Sequence, residues 1–289
     1  MHHSLSNLGR DYAQLVRAKV SLMVAAATAF GYLLVEPAPS VAMVQALAGT
    51  ILLSWGCSAW NQVQEIDLDA LLPRTKNRPL PAGRLGVARA LGAGLLCVLL
   101  AFVCLFAAGG IVPLLAGGVI VLVYNGVYTP LKRRSAFALL VGALVGALPP
   151  VVGWVCAGGH VLAPELFLLY GVYVLWQVPH FWLRVQHDAP AYAAAGLPVP
   201  AVQFSEVRYT RLLRVWFHAY AAAMLLLPVF PFIHSISARV GLAFMGIAMF
   251  VGGSLFFYAK NFARKLLWVT DGGMLVAMGI LVADRLFAL

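Results

Sequence analysis

Apolar residues in this chain fall into long runs with few charges. Nine of these runs are of membrane-helix length: 19–35, 42–64, 86–107, 112–128, 137–156, 164–186, 210–230, 239–258 and 267–286. A bilayer core needs about 20 such residues, and a run past 18 with almost no charge reads as a membrane helix. Turn-forming residues fill the gaps, among them Pro37-Ala38-Pro39, Gly109-Gly110-Ile111-Val112-Pro113 and Gly158-Gly159-His160. The pattern predicts an all-α integral membrane protein with nine transmembrane helices in a single domain over 1–289. Met1–Ser6 is polar and carries no apolar h-region, so a cleaved signal peptide is not expected.

The basic residues set the expected orientation. One side of the membrane receives Arg10, Arg17, Lys19, Arg74, Lys76, Arg78, Arg84, Arg89, Lys132, Arg133, Arg134, Arg184, Arg208, Arg211, Arg214, Lys260, Arg264 and Lys265, which is 18 of the 20 Lys and Arg. Arg239 and Arg285 fall on the other side. The positive-inside rule then puts the N-terminus in the cytoplasm and, with an odd helix count, the C-terminus outside. The long loops 66–85 and 187–208 share the basic side, so polar chemistry is expected there, in a central cavity opening to the cytoplasm.

Composition narrows the function. Hydrophobic residues make up 62% of the chain and charged residues 10%, with a mean hydropathy of +0.90. A soluble globular domain carries about 25% charged residues, so a soluble enzyme, a disordered chain and a disulfide scaffold are all excluded. Cys57, Cys97, Cys104 and Cys156 sit in or at the end of apolar runs without a CxxC or Cys/His spacing, and read as small hydrophobes rather than zinc ligands. The net charge of +10 fits cytoplasmic loops and anionic substrates, not nucleic acid.

Candidate chemistry starts where the second run ends, in Asn61-Gln62-Val63-Gln64-Glu65-Ile66-Asp67-Leu68-Asp69. Asn61, Glu65 and Asp69 are four apart and share one helical face. Three oxygen-bearing side chains stacked in this way suit Mg²⁺, which prefers oxygen ligands and bridges to substrate phosphates. The cations of Arg74-Thr75-Lys76-Asn77-Arg78 follow directly, and acids for metal beside Arg and Lys for phosphate oxygens is the composition of a diphosphate site. Lys132, Arg133 and Arg134 close the fourth run and serve either topology or phosphate binding. Near the end of the sixth run stands Trp176-Gln177-Val178-Pro179-His180-Phe181-Trp182. Pro179 frees a backbone carbonyl there, and His180 can carry a proton or ligate haem iron. His218 reads as a residue that stitches helices together. Asp271, an intramembrane acid, has no evident partner in the sequence.

On these residues the chain resembles the UbiA-type intramembrane prenyltransferase superfamily and, within it, the haem-farnesylating branch. The likeness runs through Tyr12–Lys19, Asn61–Asp69, Arg74–Leu80, Tyr128–Arg133, Gly146–Trp154, Trp176–Phe181 and Ala195–Pro198. The Asn/acid motif and the Arg74–Leu80 run occur across the superfamily. Trp176–Phe181 and Pro149-Pro150-Val151-Val152-Gly153-Trp154 point to the narrower branch. Two positions depart from the pattern. Glu65 stands where members usually carry Asp, and Ala191-Tyr192 stands where they carry an acid-Tyr pair, with Asp188 the nearest acid.

The resemblance implies transfer of the farnesyl group of farnesyl diphosphate to a vinyl group of haem b in the bacterial inner membrane. The product is haem O, with haem A synthase or a terminal oxidase as downstream partner. It implies Mg²⁺ held by Asn61, Glu65 and Asp69, with Asp67 and Asp188 as helpers. The diphosphate would lie on Arg74, Arg78 and Lys132, and more weakly on Lys76 and Arg133. Asn61, Lys132 and His180 are the expected catalytic residues, with His180 at the haem. Two other readings stay open at this point: transfer to another acceptor such as a quinone precursor, which needs no His180, and a non-catalytic haem-handling membrane protein.

Overall fold

The computed structural model describes residues 5–287, so residues 1–4 of the polar start, and the signal-peptide expectation with them, lie outside the described residues. In chain order the helices are α1 (Leu5–Leu15), α2 (Ala18–Leu33), α3 (Val41–Gln64), α4 (Ile66–Leu71), α5 (Val87–Gly109), α6 (Ile111–Val121), α7 (Thr129–Leu131) and α8 (Ala138–Gly146). They continue as α9 (Leu148–Cys156), α10 (Pro164–His187), α11 (Ala189–Ala194), α12 (Pro200–Gln203), α13 (Glu206–Leu226), α14 (Ile236–Phe256) and α15 (Phe262–Phe287).

Eight stretches of the described residues are long and apolar enough to cross a membrane: 41–64, 87–109, 111–131, 138–156, 164–187, 206–229, 236–256 and 262–287. The first expected span differs. α2 has 16 residues, and it qualifies only together with the preceding turns of α1, from which it is bent by 49°. Arg17, in the left-handed region at φ 53°, makes that bend. Two other spans are continuous in hydropathy but irregular in backbone. The fourth passes through a π-helical stretch at Leu122–Tyr128. The fifth breaks at Ala147, because Pro149 and Pro150 have no N–H to return to the preceding turn. In contrast, α10 runs straight through Pro179 as helix.

Local signals start the helices where they stand. The hydroxyls of Ser40, Ser205 and Ser235 accept from the amides of Met43, Arg208 and Ala238, each capping a helix N-terminus. Gly110, at φ 74°, turns α5 into α6. Between α2 and α9 the backbones touch. A Cβ on Gly31 would lie 1.9 Å from the Pro150 carbonyl oxygen, and one on Gly153 would lie 1.9 Å from that of Thr28. Such small-residue contact is how membrane helices approach when no water drives them together.

Three apolar clusters hold the bundle. One joins α8, α10, α13, α14 and α15 around Trp182, Phe217, Tyr220 and Met224. A second joins α2, α3, α5 and α9 around Leu53, Leu105 and Val152. The third, smaller and at the polar end, packs Leu80 and Leu85 of the loop after α4 against Leu15 and Ala59. This cluster matters most for the site, since it pins the loop to α1 and α3. Large apolar side chains such as Leu22, Met23, Leu96 and Leu122 face outward, as a lipid-facing surface requires. Cys57 and Cys156 are buried, and all four cysteines are free thiols.

Candidate active site

The helix carrying the acids breaks without losing its register. α3 ends at Gln64, Glu65 takes a non-helical φ of −114°, and α4 begins at Ile66. The four-residue hydrogen bonds nevertheless continue, from the Glu65 amide to Asn61 O at 3.0 Å and from the Asp69 amide to Glu65 O at 2.7 Å. Asn61, Glu65 and Asp69 are therefore stacked as the spacing predicts, and all three are buried. Asp67 points the other way, with its side chain 61% exposed.

Each acid of the expected metal set is tied to a cation of the expected diphosphate set. Glu65 Oε1 lies 2.5 Å from Lys132 Nζ, and Asp69 Oδ2 lies 2.6 Å from Arg78 Nη1. Asp67 takes a two-pronged contact from Arg133, at 2.6 and 2.7 Å. Asp188 meets Arg74 at 3.6 Å and His187 at 3.1 Å. The Glu65 and Asp69 pairs form the buried core of the site. The Asp67 and Asp188 pairs are exposed and flank it, and Lys76 makes no ion pair among the described residues. Arg133, hydrogen-bonded to Asp67, holds that carboxyl below its usual range.

Residues between the motifs fix this arrangement. Asn61 Nδ2 donates to Thr129 Oγ1 at 3.1 Å, and Thr129 in turn donates to Tyr124 O at 2.8 Å. Gln64 and Asn125 hold each other reciprocally: Gln64 Nε2 donates to Asn125 O at 2.9 Å, and Asn125 Nδ2 to Gln64 Oε1 at 3.2 Å. The wide π turn at Leu122–Tyr128 carries these groups against the end of α3, and such turns recur at functional sites. Lys132 also lies 4.9 Å from the Tyr128 ring centre. Across the loop, Thr75 Oγ1 donates to Asp69 O, while Arg84 bridges Asp11, Gln14 and the Asn77 carbonyl. The motif reading missed Thr129, Asn125, Gln64 and Arg84. Asn125, alone and polar inside an apolar run, was the one legible signal among them.

The donors fit Mg²⁺. An amide and two carboxylates offer only hard oxygens, and with its nitrogen held by Thr129, Asn61 keeps its Oδ1 unbonded among the described residues. No group of three or more His, Cys, Asp or Glu side chains gathers as a cage among the described residues. Mg²⁺ does not need one, since it is held by one or two carboxylates together with waters and substrate phosphates.

His180 lies elsewhere at the polar end. Its Nδ1 is 2.5 Å from Asp271 Oδ1, which gives that acid the partner the sequence left open. Arg184 Nη2 lies 3.7 Å from the other carboxylate oxygen. The imidazole is flanked by Trp176, centre to centre 4.9 Å, and by Phe181 at 5.2 Å. His218 joins α13 to α14 through Ser254 Oγ at 2.8 Å, a stitching contact. A cavity of about 560 Å³ opens at the opposite end of the bundle, lined by His234, Ser235, Asp284 and Phe287 among others. None of the metal or diphosphate candidates lines it.

Comparison with known proteins places these features in context. Residues 22–269 match the UbiA prenyltransferase family. The protoheme IX farnesyltransferase of Nitratidesulfovibrio vulgaris (strain DP4) is 48% identical over 276 residues, covering 96% of this chain and 95% of that protein. The enzyme of the same name from Oleidesulfovibrio alaskensis is 46% identical over 277 residues, covering 96% and 97%. Among solved structures, digeranylgeranylglyceryl phosphate synthase superposes with a TM-score of 0.80 at 14% identity, covering 96% of this chain and 98% of that one. A UbiA homolog from Archaeoglobus fulgidus bound to DMAPP and Mg²⁺ superposes with a TM-score of 0.72 at 16% identity, covering 96% and 100%. At such identities the solved structures speak for the fold alone.

Proposed function

The chain belongs to the UbiA prenyltransferase family, and we infer from that premise and from its buried acid–cation pairs that it transfers the farnesyl group of farnesyl diphosphate to a vinyl group of haem b. Water adds a hydroxyl in the same reaction, giving haem O for a terminal oxidase. The observation that carries the diphosphate side of the reading is the pairing of Glu65 with Lys132 and of Asp69 with Arg78 on one buried face, and the haem acceptor rests on the 46–48% identity to protoheme IX farnesyltransferases.

The chemical demand is ionisation of an allylic C–O bond, with charge gathering on the departing diphosphate. Asn61, Glu65 and Asp69 would hold Mg²⁺, with Asp67 and Asp188 at the periphery, and the metal neutralises leaving-group charge when bound. Lys132 and Arg78 bind the diphosphate oxygens, and Arg74, Lys76 and Arg133 extend the cationic surface around them. Before substrate arrives, the cations and acids neutralise one another at a depth where lone charges are costly. A bound diphosphate would give Lys132 and Arg78 a new partner and so leave Glu65 and Asp69, with Asn61, free to hold Mg²⁺. Tyr124, Tyr128 and the apolar bundle wall keep water from an allylic cation. His180 contacts the haem.

The distribution of Lys and Arg supports nine spans, a cytoplasmic N-terminus, an external C-terminus and a site opening to the cytoplasmic side of the inner membrane. The deciding experiment is mass spectrometry of haem after incubation of the purified protein with farnesyl diphosphate and Mg²⁺. The expected product is haem carrying one farnesyl group and one added water. Unchanged haem, with prenylation of a quinone precursor in its place, would assign another acceptor. Haem binding without any turnover of farnesyl diphosphate would mark a non-catalytic haem protein.

A further inference from the structure

The His180–Asp271 pair joins two helices far apart in sequence, α10 and α15, and the diphosphate chemistry has no use for it. Its geometry is specific. Nδ1 is the ring nitrogen facing the carboxylate, at 2.5 Å, so Nε2 is the nitrogen left for another partner. The second carboxylate oxygen faces Arg184. Trp176 lies over one side of the imidazole and Phe181 meets it edge-on, so the ring has little freedom to turn. Trp176 continues an aromatic series along α10 to Tyr173, at 5.9 Å, and on to Phe30, at 6.0 Å. The Trp176 indole N–H is buried without a hydrogen-bond partner. Flat aromatic faces and an unused donor beside a held imidazole suit a planar macrocycle with polar substituents.

We propose that Asp271 is the positioning residue for His180, holding it as the Nδ1–H tautomer so that Nε2 is presented to the iron of the haem substrate. The inference rests on the haem-acceptor reading above. A carboxylate on the far nitrogen of a ligating histidine fixes the ring's orientation and raises the basicity of the ligating nitrogen. Arg184 gives the carboxylate a cationic neighbour and keeps it aimed. Asp271 thus acts through His180 and touches neither farnesyl diphosphate nor the reacting vinyl carbon.

The test is haem b titration into the full-length protein in lipid nanodiscs, without farnesyl diphosphate, read by absorbance and by resonance Raman of the ferrous form. The wild type is expected to show an iron–histidine stretching band. His180→Ala should lose the band. Asp271→Asn should weaken haem binding about 10-fold, the lower end of the usual range for such partners, and shift the band to lower frequency. Asp271→Glu should recover much of both. Unchanged farnesyl diphosphate binding in each variant establishes that the bundle is folded. Asp271→Asn with wild-type affinity and an unshifted band overturns the positioning role while leaving the haem reading intact. A wild type that binds no haem overturns both, and His180→Ala with an unaltered band overturns the ligand assignment.

Discussion

Lys132 Nζ sits 2.5 Å from Glu65 Oε1, joining the end of the fourth span to the break between α3 and α4. The carboxylate is buried and the ammonium is about a quarter exposed. Removing one partner leaves the other charge without its counterpart, a larger penalty than the pair's own net worth. Glu65→Gln keeps the shape and removes the charge. It should lower farnesyl transfer at least about 100-fold, or ~2.7 kcal/mol of transition-state stabilisation, while the protein remains folded. Lys132→Gln should instead weaken farnesyl diphosphate binding first. Turnover of Glu65→Gln near wild type at limiting Mg²⁺ would remove Glu65 from the site.

The pair formed by Asp67 and Arg133 makes the opposite case. It has good geometry, but both side chains are more than a third exposed, and such pairs are worth about 0–1 kcal/mol. Asp67→Asn should cost no more than about 5-fold in turnover, far below Glu65→Gln. Its stability effect depends on pH. The folded carboxyl titrates below its usual value because Arg133 hydrogen-bonds to it. The contribution is therefore complete above the unfolded value of about 3.9 and is lost as pH falls through the lower folded value. Thermal unfolding of Asp67→Asn and wild type should differ slightly at pH 7 and converge once pH falls below the lowered value of the folded carboxyl.

Asp188 and Ala191 test how the second loop contributes. The Asp188 carbonyl accepts from the amides of Ala191 and Tyr192, at 3.0 and 3.1 Å, so α11 starts directly after Asp188 and Ala191 lies one turn on. A carboxylate at either position can serve the same neighbourhood. Asp188→Asn should raise the Mg²⁺ concentration needed for half-maximal rate, and Ala191→Asp should restore part of the loss. Full activity in Asp188→Asn with an unchanged Mg²⁺ requirement would leave the metal to Asn61, Glu65 and Asp69.

Gly31→Ala tests the α2–α9 contact. Its new Cβ would overlap the Pro150 carbonyl at 1.9 Å, a backbone atom that cannot rotate away. Overpacking of this kind costs about 1–3 kcal/mol or more. The expected result is a clear drop in the unfolding temperature in detergent. An equal control substitution at Gly92, whose Cβ would meet nothing within 4 Å, should have little effect.

Spans and the acid stack were legible in the chain because both are local. A bilayer imposes its demand on each run of about 20 residues separately, and four-residue spacing aligns Asn61, Glu65 and Asp69 whatever surrounds them. The stack even survives the break at Glu65, which hydropathy does not register. The bend at Arg17 and the π turn at Leu122–Tyr128 were hidden for the same reason, since they change backbone geometry without changing polarity. Partner choice was out of reach for a different cause. Whether Lys132 meets Glu65, Arg133 meets Asp67 or His180 meets Asp271 depends on the depth and rotation of separate helices. Packing between those helices sets these, and no spacing rule links residues on different helices. The types of charge at the site could be read in advance, but their pairing came only from packing, which placed each acid within reach of a basic side chain.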